Sequence, residues 1–151
     1  MRFRSAVLAG ALFGVLGASA CAQSNTVLDT ILAEKTATFG DAAYLVMTAV
    51  GKVQDGASPD AAAAAVLNEK WGIAHASAGS PVTLGTYSFM IMKALGIPGG
   101  VMYHLFPGPR YAGRELVYLG FVRGDTSPYR YLSGQEAVQL LGSALAYTGG
   151  Q

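Results

Sequence analysis

The sequence predicts an all-α fold, built from three similar helix–loop–helix units packed into one compact bundle. Three observations carry that prediction. Three segments open alike: Thr38-Phe-Gly-Asp41, Thr83-Leu-Gly-Thr86 and Ser133-Gly-Gln-Glu136. Each begins with a hydroxyl residue suited to cap a helix, and two of the three carry a carboxylate three places on. Aligned at offsets of 45 and 50, their apolar positions also coincide. Ala42, Leu45, Val46, Ala49 and Val50 fall on Tyr87, Met90, Ile91, Ala94 and Leu95, and these on Ala137, Leu140, Leu141, Ala144 and Leu145. That spacing is one buried face of a helix, and its recurrence at a fixed period marks a repeat architecture. Finally, glycine stands where most of the helical patterns stop, at Gly51, Gly72, Gly96 and Gly120.

Element by element, Asn25 or Thr26 to Lys35 reads as a short helix with Val27, Leu28, Ile31 and Leu32 on one face. Thr38 caps the first repeat helix, which runs to about Val50. Ser58-Pro59-Asp60 then combines a cap hydroxyl, a proline at the first helical position and an early carboxylate. The alanines after it have the highest helix propensity, and Ala63, Val66, Leu67 and Trp71 form an inner face. Thr83 opens the second repeat helix, which stops at Gly96 with Pro98 just beyond. Residues 99–106 fit either a short apolar helix or an extended segment. Pro107-Gly-Pro109 is a rigid break, and 112–122 reads as a helix. A loop over 124–131 leads to Ser133, which opens the last helix, closing near Tyr147. The expected units therefore span about 25–51, 58–96 and 111–147. None alone buries its stripe, whereas three together close a core.

The first 22 residues read as a targeting segment rather than as part of the fold. Arg2 and Arg4 precede an uncharged stretch, apolar from Ala6 to Gly17, followed by Ala18-Ser19-Ala20-Cys21-Ala22. This is the layout of a secretory signal, and roughly 13 apolar residues are too few to span a bilayer comfortably. Cys21 is the only cysteine, so no intramolecular disulfide forms. Two fates remain open for it. Ser19-Ala20-Cys21 resembles a bacterial lipobox, with Cys21 as the lipidated mature N-terminus, although Ala18 stands where such a motif usually has Leu. Alternatively, Ala20-Cys21-Ala22 before Gln23 satisfies the small-x-small rule of an ordinary cut. A diacylated Cys21 is the membrane attachment the sequence suggests for an otherwise soluble domain.

The chain has a net charge of +1. Without Arg2 and Arg4 it has eight basic and nine acidic residues, a net of −1. A near-neutral domain is not an electrostatic nucleic-acid binder. The remaining four arginines all lie between 110 and 130, and the four lysines all precede 94, so the C-terminal third has a mild basic bias. The most apolar run, 84–106, contains Lys93 and is broken by Gly96, Pro98, Gly99 and Gly100, so it is not a membrane span. It either packs internally or forms a docking surface.

Catalytic motifs are not evident. His75 and His104 lack neighbours at metal-ligand spacing, and no serine sits in Gly-x-Ser-x-Gly. The 96–100 segment lacks the Lys-Ser/Thr of a phosphate loop. No cofactor or metal is therefore expected. The distinctive polar cluster is Arg110, Tyr111, Arg114 and Tyr118, joined by Tyr129, Arg130 and Tyr131. Arg110, Arg114 and Tyr118 share a face if their helix starts at Pro109. Arginine–tyrosine surfaces suit protein interfaces and also sugars, through bidentate hydrogen bonds and stacking. Alternatively, Tyr118 and Tyr131 are core and the arginines a solvated rim. Trp71 is either core or a sugar platform.

The Gly120-Phe121-Val122 ending, the loop and the Ser133-Gly-Gln-Glu136 helix start together resemble an S-layer homology (SLH) repeat. Trp71-Gly72-Ile73 with Thr83-Leu-Gly-Thr86, and Thr38-Phe-Gly-Asp41, are weaker instances. The resemblance implies three units in a compact helical prism, in a family that commonly anchors proteins to cell-wall polysaccharide. The family's helix motif carries an arginine belonging to its ligand groove. Here Phe39, Leu84 and Gly134 occupy that place, and Thr86 replaces the motif's acid in the middle unit. The expectation is an exported, non-catalytic structural or interaction module of the bacterial cell envelope, in the periplasm or tethered to a membrane. Its expected partner is another envelope protein or assembly. A cell-wall polymer is the alternative, and an enzyme of unknown class the third.

Overall fold

The computed structural model describes residues 26–73 and 76–150 as an all-α bundle of seven helices, with no strand among those residues. Cys21, the proposed cap Asn25 and His75 lie outside the described residues. Helix α1 covers 26–33. It is followed by α2 (Phe39–Ala49), α3 (Pro59–Asn68), α4 (Leu84–Leu95), α5 (Val101–Leu105), α6 (Pro109–Tyr118) and α7 (Gly134–Gly149).

The three repeat helices begin as their sequences dictate. The hydroxyls of Thr38, Thr83 and Ser133 accept from the backbone N–H of Asp41, Thr86 and Glu136. In α2 and α7 the acid also reaches back to the cap amide, at 2.9 Å for Asp41 and 3.0 Å for Glu136, completing a capping box. Thr86 has no carboxylate to return, and its hydroxyl meets that of Thr83 at 3.0 Å. Gly96, in the left-handed region at φ +64°, ends α4 where a side chain would be strained.

The three helix starts meet in one hub. The N–H of Ala37 donates to the carbonyl of Leu132 (2.7 Å), that of Leu132 to Val82 (3.3 Å), and that of Val82 to Ala37 (3.0 Å). These three bonds close a ring with one member from each unit. One turn further in, the first helical amides of Phe39, Leu84 and Gly134 donate to the carbonyls of Ser80, Arg130 and Glu34. The first helical amide of each repeat helix is thus satisfied by a neighbouring unit. Two isolated antiparallel bridges, Thr38 with Pro81 and Thr83 with Tyr131, belong to the same junction.

Burial follows the stripes at the hub end. Ala42, Val46, Tyr87, Met90, Ile91, Ala137 and Ala144 are buried, as are Leu45, Leu140 and Leu141. At the far end the stripes come out: Ala49 and Leu145 are exposed, and Val50, Ala94 and Leu95 half-buried. The hydroxyl of buried Tyr87 donates to the carbonyl of Ala137 at 2.9 Å, tying α4 to α7. Burial pushes that phenol well above its ordinary pKa.

Packing in space crosses the units read from the sequence. The most extensive helix pairs are α2 with α3 and α4 with α6, so these two capped helices pack on the next long helix, whereas α7 packs on α4 and α2. Glycines permit these approaches. A Cβ on Gly40 would lie 2.7 Å from that of Pro59 on α3, and one on Gly85 2.8 Å from the carbonyl oxygen of Pro109 on α6; at the hub, one on Gly134 would lie 1.6 Å from the carbonyl oxygen of Ile31 on α1. Two local readings are corrected. On α1 only Ile31 is buried and Val27 partly so, whereas Leu28 and Leu32 are exposed, because one side alone of this helix meets the bundle. The helix expected over 112–122 begins at Pro109 and ends at Tyr118; Gly120, at φ +78°, has already turned the chain.

Candidate functional site

The arginine–tyrosine cluster divides into a free face and a pinned loop. Because α6 starts at Pro109, Arg110, Arg114 and Tyr118 do share one face. All three are exposed, Tyr118 at 87%. Neither arginine has an ion-pair partner among the described residues. Tyr118 and Tyr131 are not core, since Tyr131 is also exposed. Tyr111 is half-buried and stacks on Phe106, with ring centroids 6.2 Å apart. The 124–131 loop lies along α6, because Gly113 leaves room for Pro128: a Cβ there would be 3.2 Å from that of Pro128. This brings exposed Tyr129 beside α6.

Arg130 has a different job. Its side chain is 17% exposed, and its Nη1 lies 3.0 Å from Oε1 of Glu136. Its Nε donates to the carbonyl of Asp125 at 2.6 Å. Asp125 in turn accepts from the backbone N–H of Ser127. Arg130 therefore staples the loop to the capping box of α7. Glu136 feels burial, which raises its pKa. The Ser133 amide and hydroxyl and the Arg130 guanidinium outweigh that and hold it below the ordinary carboxylate value.

The equivalent place in the first unit has opposite electrostatics. Glu34 stands beside Asp41 where the third unit pairs Arg130 with Glu136. Partial burial, the Asp41 charge and a hydrogen bond to Asp41 all raise the Glu34 pKa.

Sequence reasoning missed a groove of about 690 Å³ beside the third repeat helix. The 120–123 segment forms one wall and Glu136, Gln139, Leu140 and Ser143 of α7 the other, with Leu84, Leu132 and Arg130 at its hub end. Phe121 meets Tyr147 edge to face at 5.6 Å, anchoring the first wall to α7. Arg123 is exposed, lines the groove and has no ion-pair partner among the described residues. The one hint in the sequence was the basic bias of the C-terminal third, which includes Arg123 and Arg130.

Trp71 stands apart from this cluster. It is half-buried after α3, with the Lys52 ammonium 6.0 Å from its ring centroid. Lys52 pairs with Glu69 at 2.6 Å. His104 is exposed, with its Nδ1 3.0 Å from the carbonyl of Gly100. No group of three or more His, Cys, Asp or Glu side chains suited to a metal ion occurs among the described residues. No described helix is long and apolar enough to cross a membrane. No family model, curated protein or solved structure matches this chain.

Proposed function

We propose that this chain is an exported, non-catalytic binding module of the cell envelope, which docks another envelope protein or assembly through the Arg110–Arg114–Tyr118 face of α6. Export rests on the Arg2/Arg4 segment and the apolar stretch that follows it. The single observation that carries the docking reading is the α6 face itself. Two arginines without ion-pair partners among the described residues and a tyrosine 87% exposed sit on one helix, with Tyr129 alongside. Arginine and tyrosine supply most of the anchoring energy in protein interfaces when a partner desolvates them. The test places a photo-crosslinking residue at position 114, with position 64 on α3 as a control. A discrete adduct from 114 alone, lost on Arg110→Glu while the far-UV spectrum is unchanged, is the expected result. Equal adducts from both positions would refute the site.

The groove favours a second reading, an SLH-type anchor to cell-wall polymer. The closed ring of three capped helices supports the family likeness, and Arg123 and Gln139 offer donors to a polar chain. It ranks second because the places of the family's groove arginine are buried here: Phe39 is 2% exposed, Leu84 is fully buried and Gly134 bears no side chain. Co-sedimentation with purified wall material, lost on Arg123→Glu, is its test; failure of the parent protein to sediment would remove it.

A further inference from the structure

The apolar run of 84–106 splits into two parts with opposite fates. Residues 84–92 form the deeply buried face of α4. Residues 101–106 do the reverse. On α5, Val101, Met102 and Leu105 are 75%, 47% and 64% exposed, and Phe106, just after it, 59%. At about 100° per residue Val101, Met102 and Leu105 share one arc of roughly 100°, and Phe106 follows directly at the end of the helix. Tyr103, on the opposite side, is the buried residue of this helix and meets Phe89 edge to face at 6.2 Å. The helix thus turns its aromatic hydroxyl residue inward and its purely apolar face outward, the inverse of an ordinary surface helix. Contiguous exposed apolar side chains on one short helix mark an interaction site.

The charges around this tip name its occupant. Lys93 is exposed, with its ammonium 5.4 Å from the centroid of the Phe89 ring on which Tyr103 packs. Arg110, also exposed, precedes Tyr111, whose ring stacks on Phe106. Glu115 is half-buried and turned to the start of α5 at Gly100. An apolar tip with the exposed cations Lys93 and Arg110 beside the residues it packs on complements the acyl boundary and the anionic headgroups of a lipid surface. We propose that α5 is an interfacial membrane-contact tip. Val101, Met102, Leu105 and Phe106 enter the headgroup–acyl boundary, and Lys93 and Arg110 meet anionic headgroups. This contact is separate from any lipid on Cys21. It shares Arg110 with the partner face of α6, but Lys93 lies outside that face, so Lys93→Gln alone distinguishes the two proposals.

The full chain carries an apolar stretch over 6–17 besides the tip, so the readout must be local to the tip. Phe106→Trp places a reporter on the tip, with Trp71 as the internal reference. The probes are phosphatidylcholine vesicles, with and without phosphatidylglycerol, carrying brominated acyl chains. The expected result is quenching of the added tryptophan and not of Trp71, strongest on the anionic vesicles. Lys93→Gln and Arg110→Gln should each weaken the anionic response by about fivefold. Leu105→Asp in the reporter background should remove the quenching. Emission that stays red and unquenched overturns the proposal. Emission already blue-shifted without vesicles, and unquenched with them, overturns it in favour of a covered tip. In that case concentration dependence indicates a second copy as the cover, and its absence indicates the chain's own first 25 residues. Quenching that ignores headgroup charge and both basic substitutions overturns the electrostatic half.

Discussion

Gly134→Ala is the sharpest perturbation of the hub. The added methyl would sit 1.6 Å from the Ile31 carbonyl oxygen and 2.6 Å from its carbon. The obstacle is backbone, so no rotamer change relieves it, and the end of α1 must retreat by roughly 2 Å to reach ordinary contact. That retreat removes the bond from the Gly134 amide to Glu34 (3.0 Å) and strains the neighbouring bond from Ala37 to Leu132 (2.7 Å). Two backbone bonds at about 1 kcal/mol each, with about 1–2 kcal/mol of overpacking, give a loss of about 3 kcal/mol. With a urea slope near 2 kcal/mol per molar, the midpoint falls by about 1.5 M. Gly142→Ala, in the same helix with nothing within 4 Å of its Cβ position, is the control. It should raise stability by about 0.5–1 kcal/mol, because alanine restricts the unfolded chain and favours helix. Urea unfolding followed by circular dichroism measures both. If the two variants move together, α1 does not close the hub as described.

Other predictions concern the caps and one misplaced hydroxyl. Glu34 has a raised pKa in the folded state, so the folded chain binds more protons than the unfolded one, and stability falls as pH rises from the ordinary value of 4.5 through the folded value. Glu34→Gln should therefore unfold at a higher temperature than the parent at neutral pH, the gap closing in acid; a gap independent of pH would contradict the raised pKa of Glu34. Glu136 behaves oppositely: its folded pKa is lowered, so its contribution is present above 4.5 and lost as pH falls through the folded value. Glu136→Gln should cost about 0.5 kcal/mol at neutral pH, because glutamine still accepts from the Ser133 amide but loses the charge facing Arg130, and progressively less in acid titrations. Ser88 is fully buried, and its hydroxyl has no hydrogen-bond partner among the described residues. Ser88→Ala should match or exceed the parent in thermal unfolding, since it removes an unsatisfied polar group; a loss above about 1 kcal/mol would mean the hydroxyl is paired.

The repeat helices were legible because their signals are local. A cap hydroxyl, an acid three places on and an apolar stripe sit within a dozen residues, and each stripe is buried at its capped end. The apolar pattern placed α6 over 112–122, and only its actual start at Pro109 puts Arg110, Arg114 and Tyr118 on a common face. What was not legible depends on contacts between distant segments. Leu28 and Leu32 have the spacing of a buried face, but only Ile31 meets the bundle. The 84–106 run looked uniform, because apolar composition does not tell the inward face of α4 from the outward face of α5. The groove joins 120–123 to α7 across the sequence, and no local pattern pairs Arg123 with Gln139. Arg130 looked like the other arginines until its bonds to Asp125 and Glu136 were seen.

The central claim is that three separate helix starts close one cooperative hub, and amide hydrogen exchange of Ala37, Val82 and Leu132 measures it directly. Each of these three amides donates to the next unit's carbonyl in the ring. All three should open with the same free energy, equal to that of global unfolding, and all three should be weakened together by Gly134→Ala. Independent exchange of any one of them, several kcal/mol easier than the others, would mean that the ring is not a single structural unit.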